Sequence, residues 1–235
     1  MTTAKRFWKT ATVEEAASGF SIHLDGRAVK TPAGAALIVP KPGLATTIRD
    51  EWDAQHETID PAAMPMFRFS VTSIDRVTPQ RDAVVDEISS FGGSDLVCYR
   101  EADDPHLASH QHETWQPLLD WFMATHGISL TVTDGIMPIA QPAEARAVMR
   151  AFVDTHDDFN LAGLHTLVTV SGSLVIGLAV AAGHLSADSG GRAALLDDLW
   201  QQEKWGYDAE ADARIKAHLG LVAEASRFIA MVNSE

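Results

Sequence analysis

Cysteine and basic residues are both scarce in this chain of 235 residues, and each shortage excludes a class of protein. Cys98 is the single cysteine. One thiol cannot form an intrachain disulfide, so nothing indicates an oxidising compartment. The 18 Lys and Arg residues stand against 32 Asp and Glu residues, for a formal net charge of −14. A surface this acidic repels a phosphate backbone, which argues against nucleic acid as a partner.

Motifs that hold nucleotides are also missing. The sequence contains neither a GxxxxGKS/T phosphate loop nor a GxGxxG turn, so neither ATP nor a dinucleotide has a recognisable site. Cys98 lies in an apolar LVCY context without a local cue for thiolate activation, and we expect a buried core thiol. The N-terminal segment lacks the apolar run of an export signal. We therefore expect no cofactor and a cytosol-like compartment.

One run, residues 161–183, contains no Asp, Glu, Lys or Arg and is long enough to span a bilayer. It is interrupted by His165, by hydroxyl side chains and by glycines. These interruptions favour a buried helix or helix pair over a membrane span, so no stable membrane insertion is expected. Within the run, Ser171, Gly172 and Ser173 lie mid-helix by pattern, and we interpret them as a place of close helix packing.

Hydrophobic periodicity predicts an α+β fold in which a small β-rich N-terminal domain precedes a mainly α-helical C-terminal domain. An Asp25-Gly26 pair between apolar runs predicts a hairpin turn. Strands are predicted at residues 6–13, 20–24, 27–31 and 36–39. Leu44, Ile48 and Trp52 then repeat at a helical spacing.

Further helices are predicted at residues 66–77, 80–91, 106–126, 142–156, as a pair within 161–183, and at 191–205 and 208–232. The acidic segment 101–105 is the expected boundary, which predicts domains at residues 1–102 and 103–235.

The segment LLDDLWQQEKWGYD, residues 195–208, has an unusual pattern when it is read as a helix. Trp200 falls on a mainly apolar stripe, whereas Trp205 projects from the opposite side among acidic and polar residues. Glu203 falls on the apolar stripe between Trp200 and Tyr207, where an unpaired carboxylate would be costly. Either Glu203 finds a cation or the stripe is a docking surface. The alternative is a helix buried on two sides, with its polar groups satisfied within the domain.

Histidines offer an enzymatic alternative. His106 and His110 have the spacing of metal ligands on a helix, and His112 and Glu113 lie beside them. This cluster would suit a metal-dependent hydrolase. The HETWQ sequence around Glu113 lacks the second histidine of a zinc-protease helix, however, and a solvated helix face is the competing interpretation.

Three blocks of sequence together resemble one family, the assembly chaperones of the F-type ATP synthase catalytic head that bind its alpha subunit. The blocks occur in the family's order and cover nearly the whole chain. The first is LDGRAVKTPAG at residues 24–34 with EWDAQ at 51–55. The second is MPMFRFSVTSIDRV at 64–77, followed by DLVCYR at 95–100 and WQPLLDW at 115–121. The third is LDDLWQQEKWG at residues 196–206.

The resemblance implies a chaperone with two domains, no catalytic activity, no metal and no cofactor. Its client would be the unassembled alpha subunit of the ATP synthase, which it would shield until the beta subunit replaces it. The chain lacks the long presequence of organelle members, so a bacterial, cytoplasmic version is expected, with the mitochondrial matrix as the equivalent place in eukaryotes. We also expect the protein to be a monomer. Some eukaryotic members carry a histidine-aspartate pair after the tryptophan-glycine of the third block. This chain lacks the pair and has Tyr207, Asp208 and Glu210 in that region instead.

An acidic and aromatic surface would complement a client interface that is apolar with basic spots. We therefore predict that the client-binding residues are Asp197, Asp198, Glu203, Trp205, Asp208 and Glu210. Charge reversal at these positions should weaken client binding with little change in thermal unfolding. An equal loss of stability would place the residues in the fold.

Overall fold

The computed structural model describes residues 5–206 and 208–234, and its first part is a small antiparallel sheet. The strands are β1 (Ala11–Ala16), β2 (Gly19–Leu24), β3 (Arg27–Ala28) and β4 (Ile38–Val39). β2 pairs with each of the other three. The hairpin turn at Asp25-Gly26 is confirmed. The φ angles of these two residues are +48° and +78°, and a type I′ turn requires positive φ at both central residues.

Ten α-helices account for most of the remaining described residues. They are α1 (Pro42–Asp53), α2 (Pro65–Thr72), α3 (Arg81–Ser90), α4 (Pro105–His126), α5 (Ala143–Val153), α6 (Asp158–Ser171), α7 (Leu174–Ala181), α8 (Ala187–Ala194), α9 (Leu196–Trp205) and α10 (Ala209–Asn233). The predicted face of α1 is confirmed, because Leu44, Ile48 and Trp52 are all buried. The predicted α+β class is confirmed as well.

The described residues divide into two compact units. The first comprises residues 5–81, 158–163 and 227–234, and the second comprises residues 82–157, 164–206 and 208–226. α6 and α10 therefore contribute residues to both units. The domain boundary expected between residues 102 and 103 stays a prediction.

The second unit contains a short pair of parallel strands that the sequence analysis does not predict. β5 (Tyr99–Arg100) pairs with β6 (Thr133–Asp134). Two residues a strand are too few to show an alternating pattern, so no periodicity marks them.

Two predictions about helices in the second unit are wrong. Gly172 does not lie mid-helix but adopts φ +68° between α6 and α7, and the Ser173 hydroxyl caps α7 by accepting a hydrogen bond from Ile176 N at 3.0 Å. The helix predicted at residues 191–205 is broken at Leu195, whose φ of −98° and ψ of 15° leave the helical region. This break leaves both Leu195 and Leu196 buried.

The uncharged run 161–183 is thus divided by the turn at Gly172. In the part of the chain that the structure describes, no helix is both long enough and apolar enough to cross a membrane.

Candidate functional site

Helix α9, in the second unit, carries four of the six predicted client-binding residues. Asp197 and Asp198 occupy its first turn, where carboxylates are favoured by the partial positive charge of a helix N-terminus. The helix ends at Trp205 because Gly206 adopts φ +94°, a value that glycine reaches without strain.

The packing of α9 is sparse. Of its ten residues, all of which the structure describes, Leu196 alone is buried. Trp200 is half-buried, and its ring makes a T-shaped contact with the His110 ring, with 5.9 Å between the ring centroids. Trp205 is 79% exposed. The predicted outward projection of Trp205 is therefore confirmed, and the alternative of a helix buried on two sides is wrong.

Three polar contacts hold α9 against its neighbours. At the N-terminal end, the buried Gln111 amide of α4 donates a hydrogen bond to Asp197 Oδ1 at 2.8 Å. Arg214 of α10 pairs with Asp198 Oδ1 at 3.0 Å. At the C-terminal end, Lys204 forms an ion pair with Asp104, which also caps α4 through the backbone N–H groups of its first turn.

Glu203 is exposed, so the desolvation cost predicted for a carboxylate on the apolar stripe does not arise. It lines a shallow concavity of about 280 Å³ together with Arg192, His110 and the half-buried Trp200. Tyr207, the other end of the expected stripe, lies outside the described residues.

Asp208 and Glu210 lie exposed where α10 begins. The Asp208 carboxylate accepts a hydrogen bond from Glu210 N at 3.1 Å. Asp208 therefore stabilises the start of α10 in addition to adding surface charge.

The predicted residues converge in part. Asp198, Trp205 and Asp208 line one concavity of about 320 Å³, which also includes Arg214. Glu203 lines the neighbouring concavity, Asp197 is half-buried against Gln111, and Glu210 is exposed on α10.

A larger groove, of about 530 Å³, borders Trp205 as well and was not anticipated. Its walls come from the segment before and at the start of α4 and from the last turns of α9; they are Glu101, Asp103, Asp104, Pro105, Leu107, Trp200, Gln201, Lys204 and Trp205. The acidic residues of this set were interpreted from sequence as a domain boundary. Their role in a groove depends on a contact between segments about 100 residues apart, which no local pattern reveals.

The histidine cluster does not form a metal site. His106, His110, His112 and Glu113 are exposed along α4, and among residues 5–206 and 208–234 no group of three or more His, Cys, Asp or Glu residues is placed to hold a metal ion. Cys98 is fully buried, and burial raises the pKa of its thiol to about 12. The predicted buried thiol is confirmed, and its raised pKa disfavours the reactive thiolate.

The sequence is similar to a known protein family and to one of its curated members. The sequence profile of the family described as ATP12 chaperone protein matches residues 5–123. The mitochondrial protein atp12 of Schizosaccharomyces pombe is 24% identical over 214 residues, an alignment that covers 86% of this chain and 74% of the relative.

Solved structures are similar over almost the full length. The crystal structure of Atp12 from Paracoccus denitrificans matches with a TM-score of 0.95 and 36% sequence identity, covering 98% of this chain and 99% of that chain. A protein from Agrobacterium tumefaciens matches with a TM-score of 0.89 and 37% identity, covering 96% of this chain and 84% of that chain.

Proposed function

The chain belongs to the ATP12 chaperone family, and from this premise we propose that it assists assembly of the catalytic head of the F-type ATP synthase. It binds the unassembled alpha subunit, shields it in the bacterial cytoplasm, and yields it when the beta subunit arrives. It carries out this task as a monomer, without metal or cofactor, and makes or breaks no covalent bond.

The exposed indole of Trp205, set between two acidic concavities, is the observation that carries the proposal. Large aromatic side chains are enriched at protein interfaces, where they supply much of the binding energy. A tryptophan left in water on a sparsely packed helix has little structural purpose. A partner that covers this indole removes its apolar surface from water, which stabilises the complex.

Charge supports the same proposal. An alpha subunit that still lacks its neighbours exposes an interface made for another protein, and the carboxylates around Trp205 complement basic spots on such a surface. Each exposed ion pair contributes little affinity, which suits a chaperone that has to release its client. The beta subunit then displaces the chaperone by competing for the same face.

We propose that the client face comprises the six residues of the sequence prediction, namely Asp197, Asp198, Glu203, Trp205, Asp208 and Glu210. Within this set, Asp197 has a second task, because its bond to the buried Gln111 also fixes the start of α9. Charge reversal at Asp197 should therefore lower stability as well as binding, whereas reversal at the exposed Glu203 should lower binding alone.

Co-production with the alpha subunit tests the proposal. We expect a complex of the two proteins on gel filtration, an increase in recovered alpha subunit, and release of the chaperone when beta subunit is added. Glu203→Lys should weaken the complex, and Glu144→Lys, a reversal at an exposed residue of α5 that lines neither of the two concavities nor the groove, should not. The proposal fails if no complex forms and the recovery of alpha subunit does not change.

A further inference from the structure

The larger groove beside Trp205 has a chemistry of its own. Among the described residues, three carboxylates and one ammonium line it, together with two indoles. Pro105 and Leu107 add apolar surface. Negative charge beside aromatic faces is an arrangement that attracts organic cations.

The negative charge of this groove is held in place by the backbone. Glu101 Oε1 accepts hydrogen bonds from the N–H groups of Ala102 and Asp103 at 3.0 and 2.7 Å. The backbone hydrogen bonds from Asp103 and Asp104 also hold the pKa of the Glu101 carboxyl below its usual range. The pKa of Asp104 is lowered to about 2, chiefly by its hydrogen bond with Lys204. Both groups are therefore ionised near neutral pH.

The groove already holds one cation of the chain itself. Lys204 places its ammonium 4.8 Å from the centroid of the Trp200 ring while it pairs with Asp104. An indole face and a carboxylate thus share one ammonium. The groove can therefore bind a cation between an aromatic ring and a carboxylate, as it does for Lys204.

Trp205, the next residue along α9, provides a second indole on the same groove, and Glu101 and Asp103 provide further carboxylates. We infer that this groove binds an arginine side chain of an otherwise apolar client segment, with the guanidinium stacked on Trp205 and facing Glu101 and Asp103. The inference rests on the proposed function and names the chemistry of the segment that the chaperone takes.

Arginine fits this groove better than the other candidates. Its planar guanidinium is more weakly hydrated than an ammonium, stacks on an aromatic face, and can donate to two carboxylates at once. An acidic segment would be repelled by Glu101 and Asp103. A purely apolar segment would cover Trp205 but would desolvate these two carboxylates without pairing them, which is costly.

Peptides of the alpha subunit from the same bacterium provide the test. Overlapping 15-residue fluorescent peptides are titrated with the intact chaperone by anisotropy, and each binder is remade with arginine replaced by citrulline, which keeps the shape and removes the charge. We expect citrulline to weaken binding about tenfold and lysine to weaken it less, as loss of a stacked and paired cation implies.

Variants of the chaperone locate the effect. Trp205→Ala, and the pair Glu101→Gln with Asp103→Asn, should bind the arginine and citrulline peptides equally. Glu144→Gln, a matched change outside the groove, should keep the preference for arginine.

Three results would overturn the inference: equal binding of arginine and citrulline peptides by the unaltered protein, a preference that persists in the groove variants, or no binding peptide at all. If one of these occurs while the intact alpha subunit still forms a complex on gel filtration, the inference is wrong and the proposed function stands. Failure of that complex would instead end the proposed function, and this inference with it.

Discussion

Replacement of Trp205 by alanine should separate client binding from stability. The indole is 79% exposed, so the folded protein covers only about a fifth of it. A large aromatic side chain buries up to about 250 Å² when it is fully covered, which gives about 50 Å² here. At ~25 cal/mol per Å², Trp205→Ala costs the folded state at most about 1.3 kcal/mol.

The expected effect on binding is larger. An aromatic anchor near the centre of an interface typically contributes about 2 kcal/mol or more, which corresponds to about a 30-fold rise in Kd. Titration calorimetry with purified alpha subunit measures Kd, and urea denaturation followed by circular dichroism measures the free energy of unfolding.

Trp115→Phe is the matched control. Trp115 is 1% exposed, and its Nε1 donates to the carbonyl of Ala193 at 2.8 Å. This variant should lose about 1 to 3 kcal/mol of stability, because a buried carbonyl loses its partner, while the folded fraction keeps its affinity for the alpha subunit. A Trp205→Ala protein that binds as tightly as the unaltered chain, or that loses several kcal/mol of stability, would refute the reasoning.

Further predictions concern the stability of the second unit and the reactivity of its cysteine. Burial raises the pKa of the Asp95 carboxyl to about 6 in the folded chain, above the ordinary value of 3.8. Its protonation therefore stabilises the fold fully below pH 3.8, and this contribution is lost as the pH rises through about 6. Asp95→Asn should flatten this part of the pH dependence of the free energy of unfolding, measured by urea denaturation at a series of pH values. Gly177→Ala should lower the free energy of unfolding in urea by about 1 to 3 kcal/mol, because the added Cβ would lie 2.5 Å from Val168 Cγ2. On the exposed face of α10, Gly220→Ala should raise the free energy of unfolding by about 0.5 to 1 kcal/mol, because an added Cβ meets nothing within 4 Å and alanine favours a helix. Cys98 should resist iodoacetamide at pH 8 until the chain is unfolded, and rapid labelling of the native protein would contradict its burial.

Local sequence signals predict most elements of this fold, but not all of their ends and not the short strands β5 and β6. The Asp25-Gly26 turn and the face of α1 follow from short-range chemistry, and both appear in the structure. The pattern of residues 161–183 predicts a pair of helices, as found, but not that the turn between them lies at Gly172, because the apolar neighbours of Gly172 continue a helical pattern on both sides. The pairing of β5 with β6 was missed because two strands of two residues carry no period.

The candidate site shows the same division. The helical pattern of residues 195–208 was enough to predict that Trp205 faces away from Trp200. It could not show that Glu101 and Asp103 line the same groove as Trp205, because this arrangement depends on how α4 and α9 pack. Glu203 was judged costly on the assumption of a continuous apolar stripe, whereas the sparse packing of α9 leaves its carboxylate in solvent.

The most direct test of the central claim is hydrogen–deuterium exchange, measured by mass spectrometry on the chaperone alone, with the alpha subunit, and after addition of the beta subunit. We predict that backbone amides of α9 and of the first turn of α10 exchange more slowly in the complex and return to their free rates once the beta subunit is present. Unchanged exchange in α9, with protection confined to other parts of the chain, would contradict the claim that this acidic and aromatic face covers the client.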